Sequence, residues 1–238
     1  MKQLQKSVTA IKMTRLINSL LLTILIYAVA LLFGHYINPS NEFFSPSFGT
    51  HTLMLVLSIL VIHLFKRDVH YIISWPKFKR IWKPILYGIL TAIVVNMVIA
   101  GITALCGGKN EGMKILNNSN FWQIFIFIFI YASIAEELLF RGFLQNILSP
   151  LKDKYIKIFK IKLSLPVIIA AIMFGFAHTI LLLSGQSIVF VIRIVIFTFT
   201  LGLFAGYYQE KYNNNAYAII THMAGNLMGL LAAAQLFA

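Results

Sequence analysis

Residues 121–141 read FWQIFIFIFIYASIAEELLFR, an apolar run that ends in two adjacent glutamates and an arginine. A helix needs about 20 predominantly apolar residues to cross the hydrocarbon core of a bilayer, and this run is long enough. A charged side chain near the centre of such a helix costs about 2.5–3.5 kcal/mol on insertion scales. We therefore expect Glu136, Glu137 and Arg141 to face the interior of a helix bundle and to pair with other polar groups there.

The whole chain has the composition of a membrane protein. Of its 238 residues, 59% are hydrophobic and 11% are charged, and the mean hydropathy is +0.83. Soluble domains are about 45–50% apolar. The sequence therefore predicts an all-α, polytopic transmembrane helix bundle that forms a single domain over residues 1–238. About seven spans are predicted, at residues 16–37, 51–65, 85–107, 121–147, 163–183, 188–208 and 216–237.

The net charge of +13 comes from basic residues that lie between the apolar runs. Sixteen of the 20 Lys and Arg residues precede the first span or lie in the loops after the second, fourth and sixth spans. Because cytoplasmic loops are enriched in these residues, the N-terminus is predicted to be cytoplasmic. This distribution favours the lipid bilayer as a partner and argues against a nucleic-acid partner. Residues 1–15 are predicted to form a short helix on the membrane surface.

The spacing of polar residues within the spans predicts which of them share a helix face. Glu137 and Arg141 are four residues apart and can form an ion pair. Glu136 is rotated by about 100° from Glu137 around a helix and is left free for other contacts. In the fifth span, His178 follows Phe174 by one turn.

The seventh span carries His222 and Asn226, which are also one turn apart. At about 1.5 Å per residue, the depths of Glu136, His178 and His222 converge on the inner half of the bilayer. Taken singly, a buried histidine or an ion pair is usually a structural feature. Together, one free carboxylate, two imidazoles and an amide on three helices predict a shared functional site.

At these residues the chain resembles the CPBP family of intramembrane proteases, also called the Abi or type II CAAX-protease family. The family pattern is Glu-Glu-x-x-x-Arg, Phe-x-x-x-His and His-x-x-x-Asn/Asp on successive membrane helices. In this chain the motifs are EELLFR (136–141), FGFAH (174–178) and HMAGN (222–226). The resemblance implies an endopeptidase with its catalytic core in residues 121–238, and it leaves the spans and basic loops of residues 1–120 for topology and substrate access.

The resemblance also implies roles for these residues. Glu136 and His178 would activate a water molecule, and His222 and Asn226 would donate hydrogen bonds to the oxyanion. Glu137, Arg141 and Phe174 would support them. No cofactor is preferred, but zinc bound by Glu136, His178 and His222 is a close alternative, because two histidines and a glutamate are a common catalytic zinc set. No HExxH or GxSxG motif occurs in the sequence.

Two other classes of function stay open on the residues alone. The polar cluster would also suit a non-catalytic membrane protein that binds a bacteriocin-like peptide and confers immunity, or a small transporter with Glu136 as proton carrier. The expected substrate of an endopeptidase is a membrane-associated peptide or protein, such as a secreted peptide precursor. A composition rich in Lys, Asn, Ile and Phe is typical of AT-rich bacterial genomes, so we expect a multi-pass protein of the bacterial cytoplasmic membrane.

Overall fold

A computed structural model describes residues 2–107 and 119–236, and their side chains within 12–107 and 119–231. The described residues are organised as a bundle of seven helices. The helices are α1 (Lys2–Phe33), α2 (Phe48–Leu64), α3 (Phe78–Leu105), α4 (Phe121–Gln145), α5 (Leu165–Ala177), α6 (Ile188–Tyr212) and α7 (Ala216–Leu236). Short 3-10 turns occupy Gly34–Ile37, Ser149–Leu151 and His178–Leu182.

Each of the seven predicted spans coincides with one helix, so the all-α membrane bundle is confirmed. Within the described ranges, five helical segments are long and apolar enough to cross a membrane, and one of them is α5 together with the 3-10 turn that extends it to Leu182. Helix α2 and the Ala216–Leu231 part of α7 are shorter apolar helices. Residues 2–15 of the predicted surface helix are helical, but they continue directly into the first span as part of α1. Their position on the membrane surface stays a prediction. Cys106 is exposed and lies just after α3.

The basic loop after α4 contains a short antiparallel hairpin that the sequence analysis did not predict. Strand β1 (Tyr155–Ile158) pairs with β2 (Ile161–Ser164), and Phe159 in the turn has a positive φ of 51°. The hairpin ends at Ser164, whose hydroxyl accepts a hydrogen bond from the backbone of Val167 and so caps the start of α5. The hairpin thereby fixes where the fifth apolar helix begins.

The central element of the bundle is α4. Its most apolar window is 56% buried, whereas those of the other four long helices are 22–33% buried. Leu139, Phe140, Phe143 and Leu144 of α4 form the middle of the hydrophobic core. Helices α1, α2 and α5 contribute to the same core, and α7 packs along another side of α4. A functional group on α4 can therefore be reached from several helices.

Helices α2 and α4 run parallel to one another. Near the start of α2 the ring of Phe48 stacks on Tyr131 at 5.5 Å, and near its end the ring of Phe65 lies 6.2 Å from Phe143. Between these contacts, the Thr52 hydroxyl lies 2.9 Å from the Tyr131 hydroxyl. These contacts hold the first turn of α2 beside the part of α4 that precedes the two glutamates.

Much of α4 is wound as π-helix. The π-helical stretches are Ile124–Ala132 and Leu138–Gln145, and a short α-helical turn, Ser133–Glu137, separates them. π-Helical turns are rare and occur often at functional sites. The two glutamates therefore lie where the helix changes between π-helical and α-helical winding. The sequence prediction assumed a constant rotation per residue and could not include this change.

Two glycines of α6 make room for polar side chains of α4. A Cβ on Gly202 would lie 2.7 Å from Nη2 of Arg141 and 3.1 Å from the backbone of Ala171. A Cβ on Gly206 would lie 2.5 Å from Oε1 of Gln145. The spacing is that of the GxxxG motif, in which small residues let membrane helices approach closely. The long side chains of Arg141 and Gln145 fit into the bundle because these two positions lack side chains.

The Gly202→Ala variant is expected to lower the free energy of unfolding by about 1–3 kcal/mol, because the added methyl group overpacks against a buried guanidinium and a helix backbone. Gly101→Ala in α3 is the matched control, since its Cβ would have no neighbour within 4 Å. The measurement is denaturant unfolding in detergent micelles. Equal stability of the two variants would contradict the close approach of α6 and α4.

Candidate active site

The two adjacent glutamates of α4 have different surroundings. Glu137 is fully buried, and its Oε1 accepts a hydrogen bond of 2.7 Å from Nη1 of Arg141, which is also fully buried. The side chain of Glu136 is 15% exposed and contacts histidines of other helices. The ion pair predicted from the four-residue spacing is confirmed, and it leaves Glu136 as the carboxylate with access to the site.

Phe174 of α5 joins the ion pair to both predicted histidines. The Arg141 guanidinium lies over the Phe174 ring, with Cζ 4.5 Å from the ring centroid, a distance typical of cation–π contact. The same ring meets His178 at 5.1 Å and His222 at 5.3 Å, both edge to face. Phe174 is fully buried and therefore sets the spacing of the two imidazoles.

His222 bridges the two glutamates. Its Nδ1 lies 2.9 Å from Oε1 of Glu137, and its Nε2 lies 3.8 Å from Oε2 of Glu136. A carboxylate only accepts hydrogen bonds, so Nδ1 carries the proton that is donated to Glu137. A second residue that fixes the orientation of a histidine in this way is common at functional sites. The Nε2 atom is thereby directed at Glu136.

His178 immediately follows the last residue of α5. Its Nδ1 donates a hydrogen bond of 2.9 Å to the carbonyl oxygen of Phe174, which leaves Nε2 of the neutral ring as an acceptor. The preceding carbonyl, that of Ala177, accepts a hydrogen bond of 2.8 Å from the Tyr27 hydroxyl of α1. Both ends of this turn are therefore fixed by hydrogen bonds.

Asn226 lies one turn beyond His222 on α7. Its Nδ2 is 3.3 Å from the hydroxyl of Ser133, which is on α4 three residues before Glu136. The Ser133 hydroxyl in turn donates to the carbonyl oxygen of Phe129. All seven predicted residues thus lie in one cluster formed by α4, α5 and α7, while the catalytic roles assigned to them stay predictions.

Three further residues, which the sequence did not predict, also contribute to the site. His51 of α2 places Nε2 3.3 Å from Oε1 of Glu136. Asn215, just before α7, donates from Nδ2 to the carbonyl oxygen of Glu137 at 3.3 Å, and Tyr27 fixes the turn at His178. Neither His51 nor Asn215 belongs to a motif that would indicate a functional role. His51 is the first residue of a predicted span, and Asn215 lies in an Asn-rich turn.

The predicted zinc ligands do not form a metal-binding arrangement. Among the side chains described within residues 12–107 and 119–231, no group of three from His, Cys, Asp or Glu is placed to hold a metal ion. His222 Nε2 lies 3.8 Å from Oε2 of Glu136, and Nδ1 of His178 donates to the carbonyl oxygen of Phe174. Both the preferred metal-free site and the alternative zinc set of Glu136, His178 and His222 stay predictions.

The different surroundings of the glutamates predict different effects of the same substitution. Glu137→Gln leaves the Arg141 charge buried without compensation and should lower the free energy of unfolding by about 3–5 kcal/mol. Glu136→Gln retains contact with solvent and should change it by less than about 1 kcal/mol. Denaturant unfolding of both variants in detergent micelles tests this. Similar stability losses would show that the two carboxylates are not distinguished as described.

Comparison with known families places the site within a recognised domain. Residues 118–228 match the model of the family described as type II CAAX prenyl endopeptidase, Rce1-like. The matched segment contains all seven residues of the three motifs. Searches of the curated proteins and of the solved structures each returned no significant match. Residues 118–228 therefore form a domain that matches the Rce1-like family of type II CAAX prenyl endopeptidases, in agreement with the resemblance drawn from the three motifs.

Proposed function

We propose that the protein is an intramembrane endopeptidase in which Glu136 activates the water that attacks a peptide bond. The observation that carries this proposal is the contrast between the two glutamates. Arg141 and His222 both contact Oε1 of Glu137. Glu136, in contrast, lies next to histidines, and 15% of its side chain is exposed. A carboxylate with access to water, held beside imidazoles in an otherwise apolar bundle, is suited to general-base catalysis.

Two acceptors are available to hold the attacking water. Glu136 offers carboxylate oxygens, and His178 offers Nε2, because its Nδ1 proton is donated to Phe174. In the first step, Glu136 removes a proton from the water as the oxygen adds to the peptide carbonyl carbon. A base positioned in this way contributes about 10²–10⁴-fold to a rate.

The carbonyl oxygen of the substrate becomes an oxyanion in this step and needs hydrogen-bond donors. His222 can donate from Nε2 as an imidazolium, which the Glu137 carboxylate at its Nδ1 stabilises. Asn226 can donate from Nδ2. Glu136 then returns its proton to the leaving nitrogen as the carbon–nitrogen bond breaks. The products are a carboxylic acid and an amine, and one water molecule is consumed.

The substrate is proposed to be a membrane-associated peptide or protein, with a secreted peptide precursor as the favoured class. The apolar bundle supports this class, because a substrate must approach the polar cluster from within or along the bilayer. The description of the matched family adds a second probe, a prenylated peptide that ends in a CAAX sequence. Comparing the cleavage products formed from each substrate with and without the enzyme shows which of the two it cleaves.

Purified full-length protein in liposomes is expected to cleave peptides from a bacterial membrane extract or a farnesylated CAAX peptide, with the products identified by mass spectrometry. A quenched fluorescent peptide containing the observed cleavage site then gives rates. Glu136→Gln and His178→Ala should each reduce kcat by about 10²–10⁴-fold. Asn226→Ala, which removes one oxyanion donor, should reduce it by about 10²–10³-fold.

The matched control is His63→Ala. His63 is exposed in the last turn of α2, about 18 Å along the helix from His51 at 1.5 Å per residue, and should leave kcat unchanged. Wild-type rates for Glu136→Gln would reject the proposed base. Catalytically inactive variants that still protect cells from a bacteriocin-like peptide would instead support the non-catalytic immunity function.

Metal removal tests the choice of a metal-free mechanism. Turnover is expected to persist after dialysis against EDTA and 1,10-phenanthroline, because the proposed steps use only the Glu136 carboxylate, the imidazoles and the Asn226 amide. Zinc content is measured on the same samples by mass spectrometry of the metal. Loss of activity on chelation, restored by one added zinc per chain, would contradict this mechanism and favour the zinc set.

A further inference from the structure

His51 extends the site to the N-terminal half of the chain, outside the segment that matches the family model. It lies in the first turn of α2, and its Nε2 is 3.3 Å from Oε1 of Glu136. Its side chain is 13% exposed, so the contact is largely shielded from solvent. No other histidine among the described residues lies this close to the Glu136 carboxylate.

The orientation of the His51 ring is fixed from its other side. Its Nδ1 lies 2.8 Å from the carbonyl oxygen of Ser47, one turn earlier. A carbonyl oxygen only accepts hydrogen bonds, so Nδ1 is the donor. A hydrogen bond from Nε2 to the Glu136 carboxylate therefore needs a second proton on the His51 ring. Nε2 donates this proton to Oε1, so Oε2 stays available to another donor.

The turn that carries His51 is itself held against α4. Thr52 and Tyr131 share a hydrogen bond of 2.9 Å between their hydroxyl groups, and the ring of Phe48 stacks on Tyr131. Tyr131 precedes Glu136 by five residues on α4. His51 is thus set at a defined distance from Glu136 by contacts on both sides of it.

We propose that His51 is a positioning residue that orients the Glu136 carboxylate. By engaging Oε1, it leaves Oε2, the oxygen on the side of His222, to accept the proton of the attacking water. The inference rests on the proposed function, since it assigns His51 an effect on the base of that reaction. It also means that the N-terminal spans complete the site and do more than set topology.

His51→Phe removes the hydrogen bond and keeps a ring of similar size at this position. We expect kcat to fall about 10- to 100-fold while KM changes by less than about twofold, as for a residue that acts only in the transition state. His51→Gln can still donate a hydrogen bond to Glu136 and should recover most of kcat. The matched control on the same helix is His63→Phe, which should retain wild-type rates.

The quenched fluorescent peptide identified above is the probe, and unfolding in detergent micelles confirms that each variant is folded. If Glu136→Gln is inactive while His51→Phe matches the wild type, the inference fails and the proposed function stands. If Glu136→Gln is fully active, the proposed function itself fails. A loss in His51→Gln as large as in His51→Phe, or an effect confined to KM, would also overturn the positioning role.

Discussion

The site depends on one buried ion pair, that of Glu137 and Arg141. Both side chains are inaccessible to solvent, so neither charge is tolerated without the other. Each partner also holds a neighbour in place: Glu137 accepts the Nδ1 proton of His222, and Arg141 lies over the ring of Phe174. Because Phe174 contacts both catalytic histidine candidates, the position of each imidazole follows from this pair.

The same pair explains how two adjacent glutamates can have different functions. The Glu137 carboxylate is neutralised by Arg141, and Glu136 is left with histidines and a small exposed surface. Two free carboxylates side by side would repel one another and disfavour ionisation of both. Small residues on the surrounding helices make room for the ion pair. At Gly202, the Arg141 guanidinium lies where a larger residue would place its side chain.

Much of this organisation could be predicted from the sequence, for physical reasons that are local. Apolar length gave the seven helices, and four-residue spacing gave the Glu137–Arg141 pair and the shared faces of the other two motifs. What could not be predicted depends on contacts between distant segments or on unusual winding. His51 is 85 residues from Glu136 and belongs to no motif, and the π-helical turns of α4 alter the rotation that an α-helix assumes. The short hairpin at residues 155–164 was hidden in a basic loop.

The central claim is that Glu137 and Arg141 act as one structural unit that supports the base beside it. A double-mutant cycle of Glu137→Gln and Arg141→Met, followed by free energy of unfolding in detergent micelles, measures their coupling directly. We predict a coupling energy of about 2–3 kcal/mol, with the double variant more stable than the sum of the single losses implies. Additive losses, with a coupling below about 0.5 kcal/mol, would contradict the claim.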